Sequence, residues 1–145
     1  MSALTMAGAA RWGRPFVVVA AIAAAMACAT PSPSREVADR FMELYYTRMS
    51  VAEAVKLSAG AARTKLEGEL QAIQGVPPDA PADKPRVTFD LTASSNPTPS
   101  QATYTYRVTA HTSDVSTLVA ALTVTKDGEE WRVTSFSEIK GPPSS

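Results

Sequence analysis

One histidine, one cysteine and a few carboxylates and phenols are the side chains in this 145-residue sequence whose types could do chemistry. His111 would serve as a general base if it were enclosed, because its ordinary pKa lies nearest neutrality. Asp39 and Asp90 are carboxylates of the kind used for acid–base work. Tyr45, Tyr46, Tyr104, Tyr106 and Trp131 would line a pocket with aromatic bodies and polar tips. A plainer expectation stands beside each. His111 lies on the polar side of an alternating segment near a turn, which predicts an exposed surface histidine. Asp39 and Asp90 fall on wet faces and read as solvated carboxylates. Tyr45, Tyr104, Tyr106 and Trp131 fall on apolar faces, so packing accounts for them. Together with Phe41 they are the pocket set, should space remain beside the first helix. The serines gather in a tether, loops and the tail, with no Gly-x-Ser-x-Gly elbow and no glycine-rich phosphate loop. A lone histidine and a lone cysteine are too few for a zinc or iron site. No catalytic residue, metal or cofactor is assigned.

The cysteine points elsewhere. Arg11 and Arg14 precede an apolar run from Phe16 to Ala27, which ends in Ala25-Met26-Ala27-Cys28. A basic flank, a short apolar segment and a small-residue site make a secretory signal over residues 1–27. The run of 12 residues is well short of the ~20 that span a bilayer as a helix. The end of the signal resembles a bacterial lipoprotein lipobox, in which the cysteine after a small residue is acylated and becomes the mature N-terminus. Cys28 has no disulfide partner within the chain, and an unpaired thiol outside the cytoplasm is a liability. Residues 28–34 then read as a lipidated cysteine and a Pro/Ser tether. Ordinary cleavage at Ala25-x-Ala27 or Ala27-x-Ala29 is the alternative, and it would release a soluble periplasmic or secreted protein.

From Cys28 onward 118 residues remain, with 12 basic against 14 acidic side chains and a formal net charge of −2. The charges are interspersed, so the clustered positive face that nucleic-acid binding needs is missing. One domain over residues 35–140 is the natural expectation at this length, with 141–145 as a tail.

The elements that must position these side chains fall into two halves. Ser34 reads as the N-cap of a first helix, with Val37, Phe41, Leu44 and Tyr45 on one apolar face. Ser50-Val51-Ala52-Glu53 is a capping-box pattern for a second helix, which buries Val51, Val55 and Ala59 and stops at Gly60. A third helix covers 62–74, with Leu66, Leu70 and Ile73 on its inner side. After the Pro-rich loop 75–85 the period changes to two. Val87, Phe89, Leu91 and Ala93 form one apolar set, and Tyr104, Tyr106, Val108 and Ala110 the next. Leu118, Ala120, Leu122 and Val124 follow, then Trp131, Val133 and Ile139. Asn96-Pro97-Thr98-Pro99 breaks the first pair, Ser113-Asp114 turns the second, and Asp127-Gly128 is a hairpin signal. The class is α+β: N-terminal helices packed on a four-stranded antiparallel meander with one face wet.

Residues 35–140 resemble the NTF2-like (cystatin-like cone) superfamily, and in particular its small exported lipoprotein members. The resemblance rests on the opening helix from Val37 to Tyr46, the short helix of residues 50–60, and the closing hairpin from Val124 to Val133 with Trp131 after its Asp-Gly turn. It implies a strongly curved sheet around the first helix, often with a pocket between them, and frequent dimerisation through the sheet. It implies no particular reaction, because fold does not settle function. The expected role is a non-catalytic binding or assembly module of the bacterial envelope. Its partners would be a membrane, reached through lipid on Cys28, and a homodimer mate or envelope protein on the outer sheet face, where Val119 and Ala121 are the apolar residues. A small apolar ligand would need a closed pocket. The competing expectation is an isomerase- or dehydratase-type enzyme using Asp39 or His111.

Overall fold

The computed structural model describes residues 30–75, 86–111 and 116–141. The segment expected to be an export signal, Cys28, most of the Pro-rich loop, the expected turn at Ser113-Asp114 and residues 142–145 lie outside these. The order is α1 (Pro33–Met42), a π-helical turn (Glu43–Thr47), α2 (Val51–Lys56) and α3 (Gly60–Ile73). Then follow β1 (Arg86–Thr98), β2 (Gln101–His111), β3 (Ser116–Asp127) and β4 (Glu130–Lys140). The strands form one antiparallel sheet in the order β1-β2-β3-β4, and the helices cover one of its faces. The α+β class and the meander are as the sequence predicts.

α1 starts earlier than its sequence suggests. Ser32 is the N-cap, its hydroxyl accepting from Arg35 N at 3.3 Å, and Pro33 takes the first turn, where its missing N–H costs nothing. Ser34 is therefore not the cap. It faces the sheet, buried, and shares a 2.7 Å hydrogen bond with the Tyr104 hydroxyl. The inward residues of α1 are Ala38, Phe41 and Met42 rather than Val37, which is only half-buried. The π-helical turn then inserts an extra residue into the repeat. That shift brings Leu44 and Tyr46 inward, and the turn ends at Met49, whose φ of +52° is left-handed.

Gly60 does not stop α2. Leu57 is its C-cap, and Gly60, at φ +54°, opens α3 instead. Nor does the Ser50 side chain cap α2; only its carbonyl is used, by Ala54 N at 3.1 Å. Ala54 is the fully buried residue of α2, with Val51 and Val55 half-buried. Ala59, expected inside, is extended backbone between helices. Its N–H donates to Val133 O, and Val133 N donates to Leu57 O, both at 2.9 Å, so this junction covers part of the β4 edge. α3 buries Ala62 and Leu66, whereas Ile73 is 54% exposed, because α3 packs on α2 and β4 and its last turn runs beyond them.

Two bulges change the sheet pattern. In β1, Leu91 pairs with Tyr106 and Ala93 with Thr105, which leaves Thr92 as an extra residue and turns Ala93 outward. In β4, Val133 pairs with Val124 and Ser135 with Thr123, so Thr134 is extra. The face of every later β4 residue is thereby reversed: Phe136 is buried, and Ile139, expected in the core, is 65% exposed. β1 continues past its expected end, through Pro97 to Thr98. It is an edge strand, where a residue without an N–H is tolerated. The β3–β4 hairpin closes over Gly128-Glu129 with Gly128 at φ +64°.

Candidate functional site

α1 presents one row of residues to the inner sheet face, and the phenols of β2 reach up to it. Tyr104 and Tyr106 stand two apart on β2, so both point inward. Tyr104 meets Ser34. The Tyr106 hydroxyl donates to Asp39 Oδ1 at 2.7 Å. Arg35, one helical turn before Asp39, donates from Nε to both carboxylate oxygens at 2.8 and 2.9 Å. Asp39 is therefore not the solvated carboxylate its pattern suggests. Its side chain is 37% exposed and held from two sides. The bond to Asp39 raises the Arg35 pKa above its already high value. Burial, and after it the bond to Asp39, pushes the Tyr106 phenol far above its ordinary range, so it remains a neutral donor.

A second cluster lies where the π-helical turn meets α3 and β4. Tyr45 donates to Glu69 Oε2 at 2.9 Å and Tyr46 makes a short hydrogen bond to Glu138 Oε1. Lys65 Nζ lies 3.5 Å from Glu138 Oε2 and 4.2 Å above the Phe136 ring. Phe41 stacks on Tyr45 with centroids 5.9 Å apart, and Phe136 meets both rings edge-on at 5.2 and 4.9 Å. Burial is the largest cause raising the pKa of both phenols, with the neighbouring glutamates adding to it.

The five pocket residues do not share one cavity. Phe41 and Tyr45 belong to the aromatic cluster, and Tyr104 and Tyr106 to the α1–β2 contact. Trp131 sits half-buried in a separate open groove of ≈510 Å³ beside Pro33, Val37 and Leu57. On the other side of α1, toward β1, two open grooves of ≈530 and ≈480 Å³ share Arg35 and Asp39. Phe89, Leu91 and Tyr106 line the first, and Ser94, Asn96 and Tyr104 the second. His111 and Asp90 are exposed on the opposite sheet face from Asp39. His111 Nε2 lies 3.1 Å from Thr88 Oγ1, and Asp90 stands across from Arg107. The three candidate acid–base residues thus never meet. No group of three His, Cys, Asp or Glu suited to a metal occurs among the described residues.

No family model matches the sequence, and no curated protein matches it. Its structure is similar to that of an NTF-2 like protein of unknown function from Shewanella oneidensis MR-1. The TM-score is 0.52 over 72% of this chain and 97% of that one, at 13% identity. The fold is NTF2-like. At that identity the likeness carries the architecture alone, so the chemistry of this NTF2-like domain has to be argued from its own side chains. Sequence reasoning missed Arg35, Ser34, Glu138 and Phe136. The Arg35–Asp39 spacing of four was the one available signal; the bulge at Thr134 hid Phe136 and Glu138.

The outer sheet face is the other candidate surface. Val119 pairs with Ile139, and Ala121 follows on the same side, among Thr103, Thr105, Thr123, Ser135 and Ser137. Ile139→Lys should change stability by no more than about 0.5 kcal/mol, as for other exposed positions. A denaturant midpoint measurement checks this, and a loss above 1 kcal/mol would return Ile139 to the core.

Proposed function

We propose that the chain is exported, acylated on Cys28 and held on a membrane of the bacterial envelope, facing the periplasm or the exterior. There its NTF2-like domain acts as a non-catalytic binding or assembly module. The observation that carries the second half is how the phenols are used. All four tyrosine hydroxyls are bonded to partners inside the domain. Asp39 is engaged by Arg35 and Tyr106, so neither oxygen is a free base. Groups that would face a substrate are committed to joining α1 to β2 and the π-helical turn to α3 and β4, while Val119, Ala121 and Ile139 stand outside for a homodimer mate or an envelope protein.

The first half rests on Arg11, Arg14, the 12-residue apolar run and the lone cysteine at its end. Each buried CH₂ contributes ~0.8 kcal/mol, and a single chain holds only marginally, so stable anchoring takes several chains on Cys28. Cys28→Ala is expected to move the protein from the membrane pellet to the soluble fraction after carbonate washing. Recovery of the unaltered protein as a soluble species would remove the anchor. For the binding role, a photo-crosslinker at Val119 should give a discrete adduct in cells, and one at Asp39 none; the reverse pattern would contradict it.

One observation favours the competing enzyme reading: Asp39 and Tyr106 meet at the floor of an open groove. That reading requires Arg35 to release Asp39 when a ligand binds, and Arg35→Gln would then raise activity toward that ligand rather than merely loosen α1.

A further inference from the structure

We propose that the end of the domain bearing the N-terminus of α1 and the two hairpin turns is apposed to the lipid headgroups, with the strands directed away from the membrane. This rests on acylation of Cys28, as proposed above. The sequence alone suggests a seven-residue tether, 28–34. The structure shortens it. Ser32 already caps α1, Pro33 is helical, and Ser34 is bonded to Tyr104. Only Ala29, Thr30 and Pro31 separate Cys28 from the fixed cap. Fully extended, the four steps from Cys28 to Ser32 span at most about 14 Å.

The place where this leash joins the domain is defined by its neighbours. Thr30, Pro31 and Ser32 lie beside Ser94, Asn96 and Tyr104, and Pro33 and Glu36 beside Glu129, Glu130 and Trp131. Lys126 N donates to Ser100 O at 2.8 Å, so the β1–β2 and β3–β4 turns are adjacent. At the opposite end of the sheet lie Arg86, His111 and Lys140, with Gly141 N bonded to Thr117 O at 3.0 Å. An 11-residue strand such as β2 is roughly 35 Å long. The leash is less than half of that, so the His111 end cannot rest on the bilayer while the Ser32 end is turned away from it. With the strands upright, the pairing of Val119 with Ile139 stands up to about 25–30 Å further out than Gly128. That is the height at which a partner on the outer sheet face would be met.

Charge does not supply this orientation. Near the leash Glu36, Asp127, Glu129 and Glu130 are set against Lys56, Lys126 and Arg132, and Arg35 is paired with Asp39, so the described residues form no basic cluster to draw the domain onto anionic lipid. The covalent leash and its attachment point do.

The test uses the full chain with its own acyl groups, reconstituted in phosphatidylethanolamine–phosphatidylglycerol vesicles. Because the acylated Cys28 has no free thiol, Ser100→Cys and His111→Cys each carry a single label. Energy transfer to a headgroup-labelled lipid should be several-fold stronger from position 100 than from 111. An insert of about ten Gly/Ser residues between Ala29 and Thr30 should largely erase the difference, since such a linker lets either end approach. Equal transfer from both positions in the acylated chain would overturn the orientation and leave the anchor standing. A free Cys28 thiol, read by mass spectrometry, would overturn the anchor and the orientation with it.

Discussion

Phe41→Ala is expected to lower the stability of the domain by about 3–5 kcal/mol. Phe41 is fully buried, stacked on Tyr45 and met edge-on by Phe136, beneath the part of α1 that lies over the sheet. Truncation removes the ring's transfer free energy and leaves a void that the surrounding rings cannot all collapse into. Domains of this size have a total of roughly 5–15 kcal/mol, so the variant loses a large share of it. The melting temperature should fall by on the order of 15 °C. Phe89→Ala is the matched control. Phe89 is half-buried on edge strand β1, beside an open groove, and meets one ring, that of Tyr106, at 5.8 Å. Its loss should be well under half as large. Equal losses in the two variants would mean that the space between α1 and the sheet is not filled as described.

The architecture is legible in the sequence because it is carried by period. Two-residue alternation over β2 and β3 places Tyr104, Tyr106, Val108, Ala120, Leu122 and Val124 inside, and all six are buried. Those strands have no irregularity between them, so their register follows from the pattern alone. What the pattern could not reveal are the places where one residue too many is inserted. The π-helical turn brings Tyr46 inward, the bulge at Thr92 turns Ala93 out, and the bulge at Thr134 exchanges Ile139 for Phe136. Each is set by tertiary partners and leaves no local mark, since Thr92 and Thr134 look like any other strand threonine. The same holds for the site. Asp39 has a solvated pattern along its own helix, and only the arrival of Tyr106 from β2 makes it an internal acceptor. Ser34 looks like a cap because serine suits caps, yet Ser32 has the better position before Pro33.

The central claim is that the phenol hydroxyls are committed to partners within the domain rather than free to meet a ligand, and an alkaline titration tests it most directly. An ordinary phenol ionises near pH 10. Burial and the carboxylates they bond hold Tyr45, Tyr46 and Tyr106 above that in the fold. The unfolded chain therefore releases these protons first. Their contribution to stability is complete below about pH 10 and is lost as pH rises from there toward the raised folded values. Each phenol removes at most about 1.4 kcal/mol per pH unit once its unfolded counterpart is ionised, and less where solvent screens it, as at half-buried Tyr45. Tyrosinate absorbance and far-ultraviolet circular dichroism, followed together above pH 10, should change in one shared, steep transition as the domain unfolds. Three phenols ionising near pH 10 with the dichroism unchanged would contradict the account.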